Sequence, residues 1–577
     1  MRRLLPYIKN YKKEAIVAPL FKMLEASFEL LIPIVMANIV DIGIKYNNTN
    51  YIWKMCLLMI VLGILGLVCS LVAQYFAATG AAGFGTELRR DFYAHINSLS
   101  YQELDTIGTA TLVTRVTSDI NHIQAGLNLL LRLLLRSPFL VVGAIIMGFT
   151  ISSRLTMIFL IAAPLLGLAI FLIVKISIPV YKKVQNTLEK LISLTSDNYE
   201  GARVIRAFAR REHETKAFDG VTEELEDYQI KAGKIAGLMN PVTYLMVNLA
   251  IVGILWFGSV DVNIGALTQG QLIALVSYMT KILLALLMLA VLIMTVTKGI
   301  ASAIRVSEVL VIEPSIKDTA GALPAAQNDQ PIITFTDVNF YYKGDKEPTL
   351  KGINLSIRKG ETIGIIGGTG SGKTTLVNLI PRLYEVSKGS IMIAGNDIKS
   401  YPLKQLRAKM GIVPQKAVLF AGTIRDNIKW GKKAATDEDI YSALTIAQAR
   451  QVVEEKVAGL DAKVTAGGKN FSGGQRQRLT IARALVRQPD ILILDDSSSA
   501  LDYATDAALR KALKEQTTKM TVLLVSQRAI AVRQANRIVV LDNGEIVGQG
   551  THEQLYEACD VYREICLSQQ AREEAVS

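Results

Sequence analysis

Long apolar segments in the first half of the chain constrain its fold most strongly. A membrane-spanning helix needs about 20 mostly apolar residues, and this part of the chain contains several segments of that kind. They are residues 15–40, 54–79, 129–151, 155–175, 239–260 and 271–297. A chain inside a bilayer must satisfy its backbone hydrogen bonds internally, so each segment is predicted to form a helix. The pattern therefore predicts six membrane spans.

The basic residues predict the orientation of these spans. The N-terminal arm carries Arg2, Arg3, Lys9, Lys12 and Lys13, and the loop at 176–238 is rich in Lys and Arg. The connection 258–270 has no basic residue, and the connection 151–154 is very short. Basic loops stay on the cytoplasmic side, so we expect both termini and both long loops in the cytoplasm. The first 13 residues lack a cleavage-site pattern and are expected to form an interfacial helix.

The net charge of +12 permits two interpretations. Clustered Lys and Arg occur in nucleic-acid-binding proteins, but they also flank membrane helices on the cytoplasmic side. The basic residues here lie beside the apolar segments, which favours the membrane and predicts no nucleic-acid partner. The four cysteines, Cys56, Cys69, Cys559 and Cys566, have neither zinc-ligand nor CxxC spacing, so they indicate no metal or disulfide framework.

The rest of the chain shows a different organisation. The long loops 80–128 and 176–238 have helical periodicity and are predicted to extend the membrane helices into the cytoplasm. Residues 313–331 have linker composition. Strand and helix signals then alternate, which is typical of an α/β nucleotide-binding domain. We therefore predict an all-α transmembrane domain at 1–312, a linker at 313–331 and an α/β domain at 332–577.

A glycine-rich segment, GGTGSGKT at 367–374, follows an apolar strand signal and precedes a helix signal. Glycines allow backbone N–H groups to surround phosphates at the positive end of the following helix. In this pattern the lysine reaches the β- and γ-phosphates and the next hydroxyl binds Mg²⁺. The predicted ATP-binding residues are Gly367, Gly368, Thr369, Gly370, Ser371, Gly372, Lys373, Thr374 and Thr375.

Two later segments make this interpretation more specific. FSGGQ at 471–475 opens a helix with small residues, whose free N–H groups form a second anion-binding terminus. ILILDD at 491–496 is an apolar strand that ends in two acids. Considered alone, Ser472 is only a helix cap. A second anion-binding segment beside a phosphate loop, followed about twenty residues later by ILILDD, is a far more specific pattern.

The order GGTGSGKT, VPQ, FSGGQ, ILILDD, SALD resembles the nucleotide-binding domain of an ATP-binding cassette (ABC) transporter. With the six preceding spans, almost the whole chain resembles an ABC exporter half-transporter. The resemblance implies a head-to-tail pair of such domains with two ATP molecules between them. Each ATP then lies between the phosphate loop of one chain and the Ser-Gly-Gly segment of the other.

The resemblance also implies roles for individual residues. Tyr342 matches the aromatic residue that stacks on adenine, although the adjacent Tyr341 leaves a plain strand-edge tyrosine as the alternative. Gln415 and Asp495 match residues that contact Mg²⁺, together with Thr374. Ser499 and Asp502 match the loop that connects the two ATP sites. Ser472, Gly473, Gly474 and Gln475 match the segment that completes the site of the partner chain.

Two positions depart from the family pattern. The family has a hydrolytic glutamate where this chain has Asp496, and a switch histidine where it has Gln527. A shorter side chain retracts the carboxylate, and a displacement of about 1 Å can reduce the rate on the order of a hundredfold. Glutamine donates a hydrogen bond but does not become a cation. We expect this site to bind ATP and hydrolyse it slowly.

An intact FSGGQ segment beside a weakened site leads to a prediction about partners. A homodimer would have two weak sites, whereas a different half-transporter carrying the glutamate and the histidine would form one competent site with Ser472. We therefore predict a heterodimeric exporter. It resembles the asymmetric heterodimeric exporters of bacteria, and this resemblance implies a bacterial plasma membrane and amphipathic drugs, lipids or peptides as substrates. The alternatives are an ATP-gated channel or regulatory subunit, and a homodimeric exporter with residual hydrolysis.

Two further groups of residues have open interpretations. Segments 100–120 and 199–218 resemble the cytoplasmic loops that dock onto nucleotide-binding domains in this family. Inside the predicted spans lie ionisable residues, which are costly in a bilayer. They are Glu25, Glu29, Arg132, Arg136 and Lys281. They either line a substrate pathway or form ion pairs and reach the interface.

Overall fold

The computed structural model describes residues 4–318, 330–497, 499–516 and 520–574. The described chain divides into two compact units. The first comprises 1–97 and 110–312, and the second comprises 98–109 and 313–577. The predicted linker at 313–331 lies mostly outside the described residues.

The first unit contains six long helices that are apolar enough to cross a membrane. Their bounds are Lys12–Ile44, Thr49–Ser98, Thr109–Ile151, Ser153–Glu200, Arg211–Asn263 and Gln269–Val311. Each contains one predicted span, so six long apolar helices lie where the sequence predicts them. The helices are longer than the predicted spans because helical structure continues beyond the apolar segments. A short helix at Leu5–Lys9 precedes them.

Several of these helices contain local interruptions. Two π-helical stretches are Ile39–Ile44 and Arg115–Asp119, and the intervening α-helical parts include Thr109–Thr114, Ile120–Leu133 and Arg136–Ile151. Short turns also separate Ala202–Ala207 and Arg211–Gly237 from their neighbours, and Met239–Asn263 follows Leu238. The predicted third span, 129–151, is therefore not one uninterrupted α-helix: residues 134–135 form a turn within it.

Capping interactions explain where the later membrane helices begin. Ser152 accepts a hydrogen bond from the Leu155 backbone and starts the fourth helix. Thr268 forms a capping box with Gln271 at the start of the sixth. The Asp41 carboxylate also accepts a hydrogen bond from the Gly270 N–H at 2.8 Å. A Cβ atom at Gly270 would lie 2.3 Å from the Ala37 carbonyl oxygen, so only glycine allows these two helices to approach here.

The second unit contains two sheets with helices around them. The four-stranded antiparallel sheet has the strand order Leu350–Ile357, Ile333–Phe340, Lys388–Ile393, Asn396–Asp397. The six-stranded sheet has the order Glu545–Gly550, Arg537–Asp542, Thr362–Ile366, Thr521–Val525, Ile491–Asp495, Met410–Val413. A small antiparallel pair joins Gly422–Thr423 and Lys463–Val464.

The helices of the second unit are mostly short. Their bounds are Tyr101–Ile107, Lys373–Leu379, Leu403–Ala408, Ile424–Lys429, Asp437–Ile446, Arg450–Glu454, Gly473–Leu485, Tyr503–Gln516, Ala529–Val532, His552–Ala558 and Asp560–Glu574. Three 3₁₀ turns lie at Ile398–Ser400, Gly459–Asp461 and Ala466–Gly468.

The parallel part of the large sheet determines where functional residues meet. The strands Thr362–Ile366, Thr521–Val525 and Ile491–Asp495 are neighbours and run in the same direction. Their apolar residues are buried on both faces, as in other parallel sheets with covered faces. Because carboxyl ends of parallel strands lie at one edge, the segments that follow them come together there. Those segments contain the glycine-rich loop, the two acids and Gln527.

Candidate nucleotide-binding site

The glycine-rich loop connects strand Thr362–Ile366 to helix Lys373–Leu379, as the sequence predicts. Gly370 and Gly372 have φ angles of 82° and 95°, a left-handed conformation that favours glycine. At Gly372 a Cβ atom would also lie 2.7 Å from the side chain of Leu350. Both conformation and space therefore require glycine at this helix start, where backbone N–H groups remain available to an anion.

Lys373 lies within the loop and is buried. Its Nζ donates hydrogen bonds to the carbonyl oxygens of Gly367 and Gly368 at 3.0 and 2.5 Å, and to Ser371 Oγ at 3.3 Å. Burial lowers the pKa of Lys373, while the carboxylates of Asp496 and Asp495 oppose this shift. The ammonium group therefore has acidic neighbours and no carboxylate ion pair among the described residues, an arrangement that suits a phosphate ligand.

Thr374 and Asp495 meet beside this loop. Thr374 Oγ1 donates to Asp495 Oδ1 at 3.1 Å. Burial raises the pKa of Asp495, and the hydrogen bond from Thr374 acts in the opposite direction. A hydroxyl, a carboxylate and the nearby Gln415 amide are oxygen ligands of the kind that Mg²⁺ takes together with substrate phosphates. The donor set therefore fits a Mg²⁺ ion bound with a nucleotide.

Asp496 occupies an unusual backbone position directly after the strand. Its φ angle is 44°, in the left-handed region, where Asp and Asn occur more often than most other residues. Its Oδ2 lies 3.5 Å from Gln415 Nε2. Burial raises the pKa of Asp496, and the Gln415 amide opposes that shift. Ser499 Oγ donates to the Asp496 carbonyl at 2.9 Å, which connects this position to the following SALD segment.

These residues border a cleft of about 320 Å³. The predicted site residues that line it are Tyr342, Thr369, Gly370, Gly372, Lys373, Thr374, Thr375, Gln415, Asp495, Asp496 and Gln527. Three predicted residues do not line the cleft: Gly367, Gly368 and Ser371. Each accepts a hydrogen bond from Lys373 Nζ. Thr349, Val525 and Ser526 also line the cleft, although no sequence motif singles them out. Val525 and Ser526 directly precede Gln527, so adjacency to that position was the available signal.

Tyr342 closes one side of the cleft. Its hydroxyl lies 2.9 Å from Thr375 Oγ1, on the helix after the phosphate loop. Its ring packs edge-on against Phe340 and Tyr384, at centroid distances of 4.9 and 5.5 Å. Tyr341 does not line the cleft and is 37% exposed. Of the two adjacent tyrosines, Tyr342 is therefore the one positioned to contact a base.

The predicted signature segment lies elsewhere on this unit. Ser472 and Gln475 form a capping box at the start of helix Gly473–Leu485, with hydrogen bonds of 3.0 and 3.2 Å. Ser472 and Gly473 are exposed, and no residue from Ser472 to Gln475 lines the cleft. Within one chain, the structure therefore does not bring this segment to the phosphate loop.

Part of the first predicted docking segment belongs to the same unit as the cleft. Residues 98–109 include helix Tyr101–Ile107. The hydroxyl of Tyr384 donates to Asp105 Oδ2 at 2.6 Å, and the rings of Tyr101 and Tyr384 lie 6.0 Å apart. Tyr384 thus contacts both this segment and Tyr342. Burial and the Asp105 hydrogen bond raise the pKa of Tyr384, so its hydroxyl stays protonated and donates.

Comparison with known proteins agrees with this geometry. A sequence profile described as "ABC transporter transmembrane region" matches residues 15–298, and one described as "ABC transporter" matches residues 350–499. An uncharacterized ABC transporter ATP-binding protein of Mycobacterium tuberculosis is 35% identical over 568 residues, covering 98% of this chain and 97% of the relative. The chain belongs to the ABC transporter family.

Two further comparisons describe its architecture within the ABC family. An ATP-dependent lipid A-core flippase of Desulfotalea psychrophila is 34% identical over 475 residues, covering 82% of each chain. A solved bacterial Atm1-family ABC exporter with ATP bound has a TM-score of 0.79 at 23% identity, covering 97% of this chain and 98% of the other. The predicted fold class is confirmed: six membrane helices precede an α/β ABC ATPase domain. The chain has the architecture of an ABC exporter half-transporter, a multi-pass membrane protein.

Proposed function

We propose that this chain is one subunit of a heterodimeric ABC exporter in a bacterial plasma membrane, with its nucleotide-binding domain and both termini in the cytoplasm. Its own cleft binds ATP but hydrolyses it slowly, and its FSGGQ segment completes a competent site on a different half-transporter. The observation that carries this proposal is the placement of Asp496 and Gln527 together at the cleft, while an intact Ser472 segment lies away from it.

ATP binding is assigned to groups that the cleft brings together. Lys373 and the loop N–H groups bind the phosphates, and Tyr342 stacks on the base. Thr374, Asp495 and Gln415 hold Mg²⁺, which neutralises phosphate charge when bound. Each of these groups is present and lines the cleft. The groups that this chain itself contributes to ATP binding are therefore all present at the cleft, and the Ser-Gly-Gly segment of the partner would complete the site.

We attribute slow hydrolysis to the two residues that depart from the family pattern, Asp496 and Gln527. The general base must lie within hydrogen-bond reach of the attacking water. Asp496 has a side chain one methylene shorter than glutamate, and its carboxylate faces the Gln415 amide. Gln527 is exposed at the cleft and stays uncharged, so it supplies no positive charge to the γ-phosphate. Both effects reduce the positioning and charge stabilisation on which phosphoryl transfer depends.

The transported molecule is assigned only by class. The flippase relative is named for a lipid A-core, a lipid-like amphiphile. We extend only the amphipathic character to this chain, so its substrates would be amphipathic lipids, drugs or peptides. Transport would follow alternation of the membrane helices between two states as the ATPase domains associate and separate.

The test is ATP hydrolysis by the purified chain alone in liposomes, compared with the chain co-purified with its partner half-transporter. We expect the single chain to bind a photoreactive ATP analogue but to release phosphate at well below about one per second, the low end of typical enzyme turnover. The complex should hydrolyse at ordinary transporter rates. Rapid, stable hydrolysis by the single chain would overturn the proposal and indicate a homodimeric exporter.

A further inference from the structure

Charged side chains meet inside the membrane-spanning bundle, away from the nucleotide site. They come from the first, third and sixth membrane helices: Lys22, Glu25, Glu29, Arg136 and Lys281. Glu29 is bonded to both Arg136 and Lys281, at 2.9 and 3.1 Å, and Glu25 to Lys22 at 2.5 Å. Their side chains are only 7–31% exposed. Ion pairing therefore accounts for the two glutamates.

These ion pairs do not neutralise all of the positive charge in the cluster. Three cations face two carboxylates, an excess of one positive charge. Arg132 lies about one turn before Arg136 on the third membrane helix and has no acidic partner among the described residues, which raises the excess to two. A charged side chain without a counterion in the middle of a bilayer is energetically costly. An anion in the cluster would offset that cost.

Unused hydrogen-bond donors belong to Arg136 of the cluster and to Arg132 and Ser137, its near neighbours in the sequence. Arg132 Nε, Arg136 Nε and Ser137 Oγ are inaccessible to solvent and have no hydrogen-bond partner in the described part of the chain. A buried hydrogen-bond donor without an acceptor destabilises the folded chain. Guanidinium groups match phosphate and carboxylate oxygens in geometry. Excess charge and unpaired donors therefore both require an acceptor with negative charge.

Polar side chains continue from the cluster along the sixth helix. Ser277, Thr280 and Lys281 share one face of that helix, where Thr280 is exposed and Ser277 and Lys281 are half-buried. The hydroxyls of Ser277 and Thr280 donate to the carbonyl oxygens of Ile273 and Val276 in the same helix. Exposed Leu284 and Met288 continue this face toward the cytoplasmic end of the helix. An amphiphile with its headgroup at the cluster would find apolar contacts for its tail beside it.

We infer that this cluster is the headgroup site for an amphiphile with an anionic phosphate or carboxylate group. The inference rests on the proposed export function and deepens it by naming the substrate class. Lys281, Arg136 and Arg132 contact the anion, and Glu25 and Glu29 hold the basic side chains in position. Glu29 also limits the affinity, because it competes with the anion for Arg136 and Lys281.

The test is a binding titration with the purified transporter in phosphatidylcholine nanodiscs without nucleotide. Thermal stabilisation of the transporter is the measure of binding. The probes are hexadecyl phosphate, hexadecylphosphocholine and hexadecyltrimethylammonium, which share one tail. We expect only hexadecyl phosphate, the one probe with a net negative charge, to bind well. Arg132→Gln should weaken its binding about tenfold, Arg132→Lys should restore most of the loss, and Glu29→Gln should tighten it.

The matched control is Arg154→Gln, which removes an arginine that is 68% exposed and paired with Asp261 elsewhere in the bundle. It should leave hexadecyl phosphate binding unchanged. Equal losses from Arg132→Gln and Arg154→Gln, equally tight binding of the trimethylammonium probe, or weaker phosphate binding after Glu29→Gln would each overturn the inference. Thermal unfolding of each variant without ligand identifies any that misfolds, and Arg132→Lys then carries the test.

Two features of the experiment distinguish failure of the anion-site inference from failure of the proposed export function on which the inference rests. Binding is measured without ATP, so fast hydrolysis by the single chain would overturn the weak-site proposal and leave the anion site untouched. Failure to bind hexadecyl phosphate would overturn the anion site alone. Repeating the titration in discs containing phosphatidylglycerol identifies the source of the anion, because a bilayer lipid that occupies the site competes with the probe.

Discussion

The amide of Gln415 lies 3.5 Å from the carboxylate of Asp496, so the residue at the hydrolytic position contacts a neighbouring side chain of the cleft. The backbone of Asp496 has a φ angle of 44°, a conformation that Asp tolerates better than Glu. The short side chain therefore suits the local backbone while it withdraws the carboxylate. This relationship connects local conformation to the expected weakness of the ATP site.

The first prediction concerns that short side chain. Asp496→Glu combined with Gln527→His should raise phosphate release by the single chain at least about tenfold, because it extends the carboxylate and restores a titratable imidazole. The longer residue should also lower the free energy of unfolding by about 1 kcal/mol, since position 496 is left-handed. Phosphate release and thermal unfolding measure both effects.

The control for this prediction is Asp490→Glu, at the opposite end of the same strand, where Asp490 is half exposed and paired with Lys409. It should change neither quantity. If the double variant hydrolyses no faster than Asp490→Glu does, the carboxylate position is not what limits this site.

The second prediction separates the capping role of Ser472 from its role in a partner site. Ser472→Ala removes a helix cap and should cost about 1 kcal/mol of stability. Thr436→Ala removes the equivalent cap of helix Asp437–Ile446 and should cost about the same. Only Ser472→Ala should reduce ATP hydrolysis by the complex more than about tenfold. Comparable activity of the two variants would argue against Ser472 acting at any ATP site.

The third prediction tests the base contact. Tyr342→Ala should weaken binding of a fluorescent ATP analogue about tenfold or more, because stacking of a base on an aromatic ring contributes about 1–3 kcal/mol. Tyr341→Ala changes the adjacent residue, which does not line the cleft, and should leave the Kd unchanged. The assignment fails if the two substitutions weaken binding equally.

The fourth prediction concerns the contact between Tyr384 and Asp105. Tyr384→Phe removes a 2.6 Å hydrogen bond to the docking segment but keeps the ring that packs on Tyr342. We expect unchanged ATP affinity, a stability loss of about 1 kcal/mol, and fewer substrate molecules moved per ATP. ATP-driven substrate uptake into inside-out proteoliposomes, divided by phosphate release, measures that ratio.

Tyr401→Phe provides the comparison, because Tyr401 also donates a buried hydrogen bond, to the Ile393 carbonyl at 2.9 Å. It should lower stability without changing the transport ratio. An equal ratio in both variants would show that the Tyr384 bond is structural only.

Local patterns in the sequence were sufficient to predict much of the fold and of the ATP site. Six apolar segments specify six membrane helices because hydrocarbon leaves the backbone no other partner. The glycine-rich loop between strand and helix specifies a phosphate site because its conformation depends on residues 367–374 themselves. Asp496 and Gln527 can be recognised as departures from the family pattern for the same reason, because each lies within a short motif whose other residues match.

Tertiary structure decided which distant residues meet. The parallel order of three strands brings Lys373, Asp495 and Gln527 to one sheet edge and places Ser472 elsewhere. Packing of three helices pairs Glu29 with Arg136 and Lys281 and leaves Arg132 without an acidic partner in the part of the chain that the structure describes. The left-handed backbone of Asp496 and the bond from Tyr384 to Asp105 also depend on the folded chain. Such contacts depend on how elements pack across long stretches of sequence, and no short-range pattern encodes them.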